Sequence, residues 1–511
     1  MDPNPDFPSE AALKLLNTRF SGRCMLPKLQ DIRWISASPK HIEPTLRLIV
    51  SPALTNFRLA LRNYGPISAS QLVPALEALA PAYNSLVEIR ICHSTIHDPR
   101  TIHAASTLLL KCNPDKLLYF HVDSALSVEA FIHATQLPNL EAFTFRAHTT
   151  ELGIPLPTST FPSLRSLDVI TVNTDSPLLQ AITHIQSTTF AGLRLEFPAA
   201  TVGTFLPATL ATLRPRGLHQ TLTRLSITPE GDFNLDGAAL RPLLFLNQLT
   251  MLEVWLHCSQ GQCPYKLSDE NLEALVKAMP KLKSLCLGSI PCSHPANTTL
   301  KSLVSIAKYC KYLDELVIHT NVEAIIAGVP QYDNWGEDRT LEALNPTLVG
   351  CPLRHIIFGP CFIPGEQRGA VTFALTLLRL FPSLVRATAF QPTPETDPQW
   401  ELVDDVIVSH TRARVNIMDA GKFSNLFPCT RFAHVAQLLI RVSTESCVCS
   451  LYLNSPVSRA LSALYSSLTT QEVLNPFVQK SSLANAQKRV ILMRNSVIKS
   501  NPHHSDPPGK R

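Results

Sequence analysis

The sequence predicts an α/β solenoid with a parallel sheet on one side and helices on the other, in about 12–13 irregular repeats of 23–40 residues. Three observations carry this prediction. Leucine or an equivalent apolar residue recurs at i, i+3 and i+5, the spacing of a short strand with one buried face. Helical patterns precede these strands and stop at a proline or a cysteine. In the most regular copy, Leu267–Leu287, one helix, one break and one strand fit into about twenty residues. Such a unit cannot bury its own apolar face and requires neighbours of the same kind.

Taken in order, residues 1–25 read as an N-terminal cap or truncated remnant, and residues 26–410 as the solenoid. Its apolar triplets begin at Leu29/Ile32/Trp34, Leu54/Phe57/Leu59, Leu86/Ile89/Ile91 and Leu117/Phe120/Val122. They continue at Leu140/Phe143/Phe145, Leu164/Leu167/Val169, Phe190/Leu193/Leu195 and Leu222/Leu225/Ile227. Leu249/Leu252/Val254, Leu282/Leu285/Leu287, Leu313/Leu316/Ile318 and Leu353/Ile356/Phe358 follow, with Leu384/Ala387/Ala389 as a degenerate last copy. Successive starts stand 25, 32, 31, 23, 24, 26, 32, 27, 33, 31, 40 and 31 residues apart. A merely apolar-rich chain gives scattered matches, not thirteen at such intervals.

The helical halves keep the same phase. Ser268-Asp269-Glu270 opens a helix with side chains suited to its free N–H groups. Leu272, Leu275, Val276 and Met279 then share one face, and Pro280 ends the run because it lacks an N–H and clashes with the preceding turn. Further helical runs lie at Ile102–Cys112 and Thr299–Cys310. Proline joins recur at Leu137-Pro138, Phe161-Pro162 and Phe381-Pro382. Cys112, Cys310 and Cys351 take the same place in other copies, where a small apolar side chain fills the corner under the strand.

Two regions break the period. Residues 320–352 lengthen one unit to 40 and include Gln331–Asp338, a polar-aromatic stretch expected to project from the array. After Phe390 the run Trp400–Ile407 reads as a closing cap, placed near 395–410. Residues 411–511 read as a basic, largely disordered tail. They hold 13 Lys+Arg against 4 Asp+Glu, or +9, which leaves 32 basic and 36 acidic residues, or −4, in the remainder.

On these triplets and joins the chain resembles the leucine-rich-repeat family, in the irregular form found in fungal F-box-like proteins. Cys310-x-x-Leu313-x-x-Leu316-x-Ile318 matches the first half of the cysteine-containing repeat subtype. The asparagine that follows the core in extracellular repeats is mostly absent. The resemblance implies a horseshoe with a parallel concave sheet. It also implies a non-catalytic role in protein–protein interaction, with substrate recognition for an SCF-type ubiquitin ligase as the best-known activity. Residues 1–25 are too short for the helical F-box itself and lack a Leu-Pro-x-Glu-Ile-like opening. A ligase adaptor is therefore the partner implied only for a longer form that carries the module.

Composition narrows the classes. Hydrophobic residues make up 45% and charged ones 17%, so burial is plentiful. The 41 prolines against 18 glycines fit many short elements stopped by proline. The N-terminus lacks a basic region followed by an apolar core, so no signal peptide is expected, and no window reads as a membrane span. Thirteen scattered cysteines point to reduced thiols in the cytoplasm or nucleus. Nucleic acid is not an expected partner for a slightly acidic body with a basic tail. No Gly-rich phosphate loop, G-x-S-x-G or HExxH occurs, so no enzyme activity and no cofactor are expected. Cys258 and Cys263, beside His257, lack a second ligand pair, as do Cys447 and Cys449; His503-His504 stands alone, and no metal is expected.

The expected binding surface is the strand face turned away from the helices. Side chains alternate along a strand, so the residue between the second and third apolar positions points outward. That ladder reads Arg33, Arg58, Arg90, His121, Thr144, Asp168, Arg194, Ser226, Glu253, Cys286, Val317 and Ile357. Arg33, Arg58, Arg90 and His121 form a basic end that fits an acidic or phosphate-bearing partner, or else pairs internally with Asp31 and Glu88. Val317 and Ile357, flanked by Trp255 and His319, form an apolar end suited to a partner hot spot, unless the 320–352 stretch covers it.

Overall fold

A computed structural model of the full chain describes residues 10–424 apart from 21–22, 36–40, 61–67, 93–97, 148–159, 172–181, 183–184, 199–206, 208, 215–216, 231–233, 259–264, 291–295, 328–350, 360–362, 364–365 and 390–396. Within them runs one parallel sheet of thirteen strands whose spatial order is the chain order. These are β1 Asp31–Ile35, β2 Asn56–Ala60, β3 Glu88–Cys92, β4 Tyr119–Ala125, β5 Ala142–Ala147, β6 Ser166–Thr171 and β7 Gly192–Pro198. They continue with β8 Arg224–Glu230, β9 Met251–His257, β10 Ser284–Ile290, β11 Glu315–Ile318, β12 His355–Phe358 and β13 Arg386–Ala389. Every triplet expected from the sequence falls at one strand, its second and third positions within the strand and its first position two residues ahead of it.

The apolar spacing sets the register. Ile32 pairs with Phe57, Phe57 with Ile89, and Ile89 with Phe120, so the middle triplet positions stack from strand to strand. They form one continuous core with the first and last positions and with the helices behind them. Leu54, Phe57 and Leu59 are fully buried, as are their counterparts Leu282, Leu285 and Leu287. At strand entry the Gln30 carbonyl accepts both Thr55 and Asn56 N–H groups, and the same forked acceptor recurs at all twelve joints, the last being Arg354 to Val385 and Arg386. Hydroxyls reinforce several joints: Thr55 Oγ1 donates to Gln30 O, Thr223 Oγ1 to Ala191 O and Thr250 Oγ1 to Thr223 O. Buried backbone groups are thus satisfied between repeats even where side-chain sequence varies.

Helices occupy the return segments. The helix Asp269–Ala278 starts as expected at Ser268, whose side chain accepts from Asn271 N in a reciprocal capping box. Asp269 then reaches the next helix, Leu300–Tyr309, accepting from Thr299 N at 2.8 Å and Thr299 Oγ1 at 2.7 Å. Cys112, Cys310 and Cys351 are buried at their corners, and burial raises their thiol pKa values, to about 12 for Cys112 and about 11 for Cys351. At one proline join, Phe161 takes a left-handed φ of 53° immediately before Pro162. Such strain persists only where packing over-determines it; the Phe161 ring is buried against Phe131, Phe143 and their neighbours, with centroids 6.5 and 5.8 Å away.

The strands all lie in one unit, Met1–Asn416; of the other, Ile417–Arg511, the described part is a helix end through Ser424. The helix Asp397–Ser424 closes the array at β13. Asp404 accepts the edge N–H of Ala387 and faces Arg386 at 3.7 Å, while Thr411 Oγ1 donates to Leu384 O. Trp400 is buried against Phe358 and Phe373. The boundary expected at 410 therefore falls inside a helix that is still bonded to the last repeat. Residues 425–511, the stretch Gln331–Asp338 expected to project, Cys263, Cys447, Cys449, His503 and His504 lie outside the described residues.

Candidate interaction face

The side chains at the first, third and fifth places of each strand emerge on the face opposite the buried triplets. The pairing carries the expected ladder without a slip: Arg33 to Arg58, Arg58 to Arg90, Arg90 to His121, His121 to Thr144, and Thr144 to Asp168. It continues through Arg194, Ser226, Glu253, Cys286 and Val317 to Ile357. Residues far apart in sequence thus form one line about 4.8 Å per step.

At the basic end, Asp31 and Glu88 hold the arginines. Arg33 Nε stands 3.4 Å from Asp31 Oδ1, and Arg58 Nη2 donates to Glu88 Oε2 at 2.6 Å. Arg90 Nε pairs with the other oxygen of the same carboxylate. Glu88 is nearly enclosed, with 7% of its side chain exposed, whereas Arg58 and Arg90 retain 34% and 51%. His121 is half-buried in the same line. Burial lowers its pKa, Asp123 and Asp168 pull it up, and Arg90 and Arg194 push it down; the net direction is down, so the imidazole is neutral at pH 7. The fourth rung thus contributes hydrogen-bonding atoms rather than a charge.

The middle of the face is polar and internally bonded. Thr144 Oγ1 donates to Asp168 at 3.3 Å, and Arg194 lies 4.0 Å from Glu196. Tyr119 donates to Glu141 at 3.0 Å, a link between strand entries that the triplet pattern does not reveal.

The apolar end differs from expectation at one residue. Val317 and Ile357 are partly exposed, and Trp255 is half-buried. His319, expected beside them as a contact residue, is 1% exposed and packs edge-on to Tyr265 at 5.4 Å. It is therefore not a surface contact. Its neighbour across the sheet is Gly359, where a Cβ would fall within 3.3 Å of the His319 backbone; the missing side chain admits the imidazole. A Cβ on Gly288 would lie 3.5 Å from Val317 and 3.7 Å from Trp255, so this glycine keeps the apolar surface low between them. Cys286 and Thr144, expected as outward rungs, are buried by their neighbours. Burial, followed by the Glu253 carboxylate, raises the Cys286 thiol pKa.

Register also assembles a group that the sequence does not announce. Asp314, Glu315 and His355 bring one ligand atom each within 4.8 Å at the β11–β12 entry. Glu315 is exposed, the other two are partly so, and Arg354 and Arg386 stand at adjacent places, so this is a solvated mixed-charge corner. Among the described residues no helix is long and apolar enough to cross a membrane.

No family model matches the sequence, and no curated protein matches it. Among solved structures, the leucine-rich repeat-containing protein LegL7 from Legionella pneumophila is similar at 12% identity and a TM-score of 0.32, over 73% of this chain and 97% of that one. A likeness at that level carries no functional argument, and the fold rests on the sheet itself. Thirteen sequential parallel strands, each bearing the i, i+3, i+5 apolar triplet, make this chain an α/β leucine-rich-repeat solenoid.

Proposed function

We propose that the protein is a non-catalytic interaction module that docks a protein partner on the helix-free face of its sheet. The observation that carries this reading is the in-register ladder of third strand places, which lines up arginines at one end and Val317 and Ile357, beside Trp255, at the other. A rigid parallel sheet presents such a surface at little ordering cost, and partly exposed aliphatic side chains beside an aromatic can anchor a partner. The test is capture from cell extract by the full chain and by a Val317→Asp/Ile357→Asp variant of equal helical content and melting temperature. Loss of specific captured proteins by the variant supports the reading; identical capture refutes it.

Within this reading, substrate recognition for an SCF-type ubiquitin ligase is the finer proposal, supported by the resemblance of the repeats alone. Purified ligase adaptor binding to the folded chain, or to a longer form bearing an F-box, supports it, and absence of binding in both removes it. The second reading is a free-standing scaffold or regulator for an acidic partner, favoured by the side-by-side Arg58 and Arg90. A cytoplasmic or nuclear location is part of the proposal and agrees with the seven cysteines among the described residues that form no disulfide.

A further inference from the structure

We propose that Arg58 and Arg90, held side by side by Glu88, form a receptor for a side-chain oxyanion, a carboxylate or a phosphate, on an extended segment of the partner. This deepens the docking reading above and rests on it. The two guanidiniums occupy the same register on adjacent strands. Unaided, they would repel. One enclosed carboxylate resolves this: its Oε2 accepts from Arg58, and its Oε1 forms an ion pair with Arg90 Nε.

That arrangement fixes the cations without exhausting them. A guanidinium carries five N–H donors, and Glu88 engages one group of each arginine. Arg58 Nε is enclosed, so the donors open to an oxyanion are on the exposed parts of the two guanidiniums, whose side chains keep 34% and 51% of their surface. The charge is also incompletely cancelled: Arg33, Arg58 and Arg90 face Asp31 and Glu88, leaving +1, and the neutral His121 adds donors and acceptors. A planar fork with spare donors suits a carboxylate or phosphate better than a point charge would. The occupant is a short acidic segment and not a long polyanion. Beyond His121 the third and fifth strand places present Asp123, Asp168, Glu196 and Glu253 against Arg146 and Arg194, an acidic excess that would repel a nucleic-acid backbone running along the face.

The probes are a hexaglutamate peptide, a phosphoserine peptide of the same length and a six-nucleotide single-stranded DNA. Fluorescence anisotropy with the full chain at low salt is the readout. Saturable binding of either peptide that weakens about tenfold or more in Arg58→Gln and in Arg90→Gln supports the site, because a charge-assisted hydrogen bond carries about that factor. The tighter peptide identifies the oxyanion. Arg58→Lys keeps the charge beside Glu88, and with it the fold, but loses the fork; intermediate weakening is expected. Equal binding by all variants overturns the site, as does an oligonucleotide that binds as tightly as the better peptide. If neither peptide binds while Val317→Asp/Ile357→Asp still abolishes partner capture, the docking reading stands and the oxyanion site falls.

Discussion

Gly359→Ala and Gly288→Ala make the same chemical change two strands apart in one column of the sheet, and the structure predicts opposite outcomes. At Gly288 the new Cβ meets Val317, Trp255 and Cys286 at 3.5, 3.7 and 3.9 Å, ordinary contact distances. Alanine there limits the unfolded chain more than glycine does and should stabilise by about 0.4–1 kcal/mol. At Gly359 the Cβ falls against the His319 ring, with Cγ at 3.1 Å and the backbone Cα at 3.3 Å. His319 is enclosed by Tyr265 and cannot swing outward without losing that packing. Overpacking of this kind costs about 1–3 kcal/mol. The two variants should therefore differ by about 1–4 kcal/mol, Gly359→Ala being the less stable. Urea unfolding of the full chain, with hydrogen exchange resolved to β11 and β12, reads both the size and the place of the effect. Adding His319→Ala to Gly359→Ala should recover part of the loss, since the clash is with that ring. Equal stability of the two glycine variants, or no recovery, would refute the placement of His319 beneath the face.

Three further outcomes follow from the packing. Trp400→Ala should cost about 3–5 kcal/mol and raise exchange in β12 and β13 first, because the closing helix covers that edge; a change spread evenly over the sheet would contradict the capping role. The pKa values of His121, His133 and His410 are each lowered chiefly by burial. The folded state therefore binds fewer protons than the unfolded one, and stability should fall as pH drops below the ordinary value of 6.5; this pH dependence should shrink in His121→Gln. Native alkylation followed by peptide mapping should label the exposed Cys92 well ahead of Cys112, Cys310 and Cys351, whose buried thiols stay protonated; comparable labelling rates would contradict that burial.

The strands were legible because an inward-facing side chain is required at three fixed places in each of them. Even the weak copy at Leu384/Ala387/Ala389 forms β13. The ladder was legible for the same reason, since alternation along a strand leaves no freedom about which residue faces outward. Asp31 and Glu88 could be read as partners of the arginines because they sit two places earlier on the same strands. His319 was not legible. It occupies an outward place by alternation, and what buries it is the absence of a side chain on Gly359, forty residues later. The Asp314, Glu315 and His355 corner is likewise a product of two strands meeting, with no signal in either alone. The length of the closing helix escaped as well, because it runs through Ser424, beyond its bond from Thr411 to Leu384, and follows no repeat period.

The central claim is tested most directly by placing a photo-crosslinking amino acid, one position at a time, at Val317, Ile357 and Arg90 on the sheet face and at Tyr312, which is 60% exposed off that face. Irradiation in cells followed by mass analysis should give the same heterologous protein adduct from the face positions and none from Tyr312. Adducts from Tyr312 with none from Val317, Ile357 or Arg90 would contradict a docking role for this face.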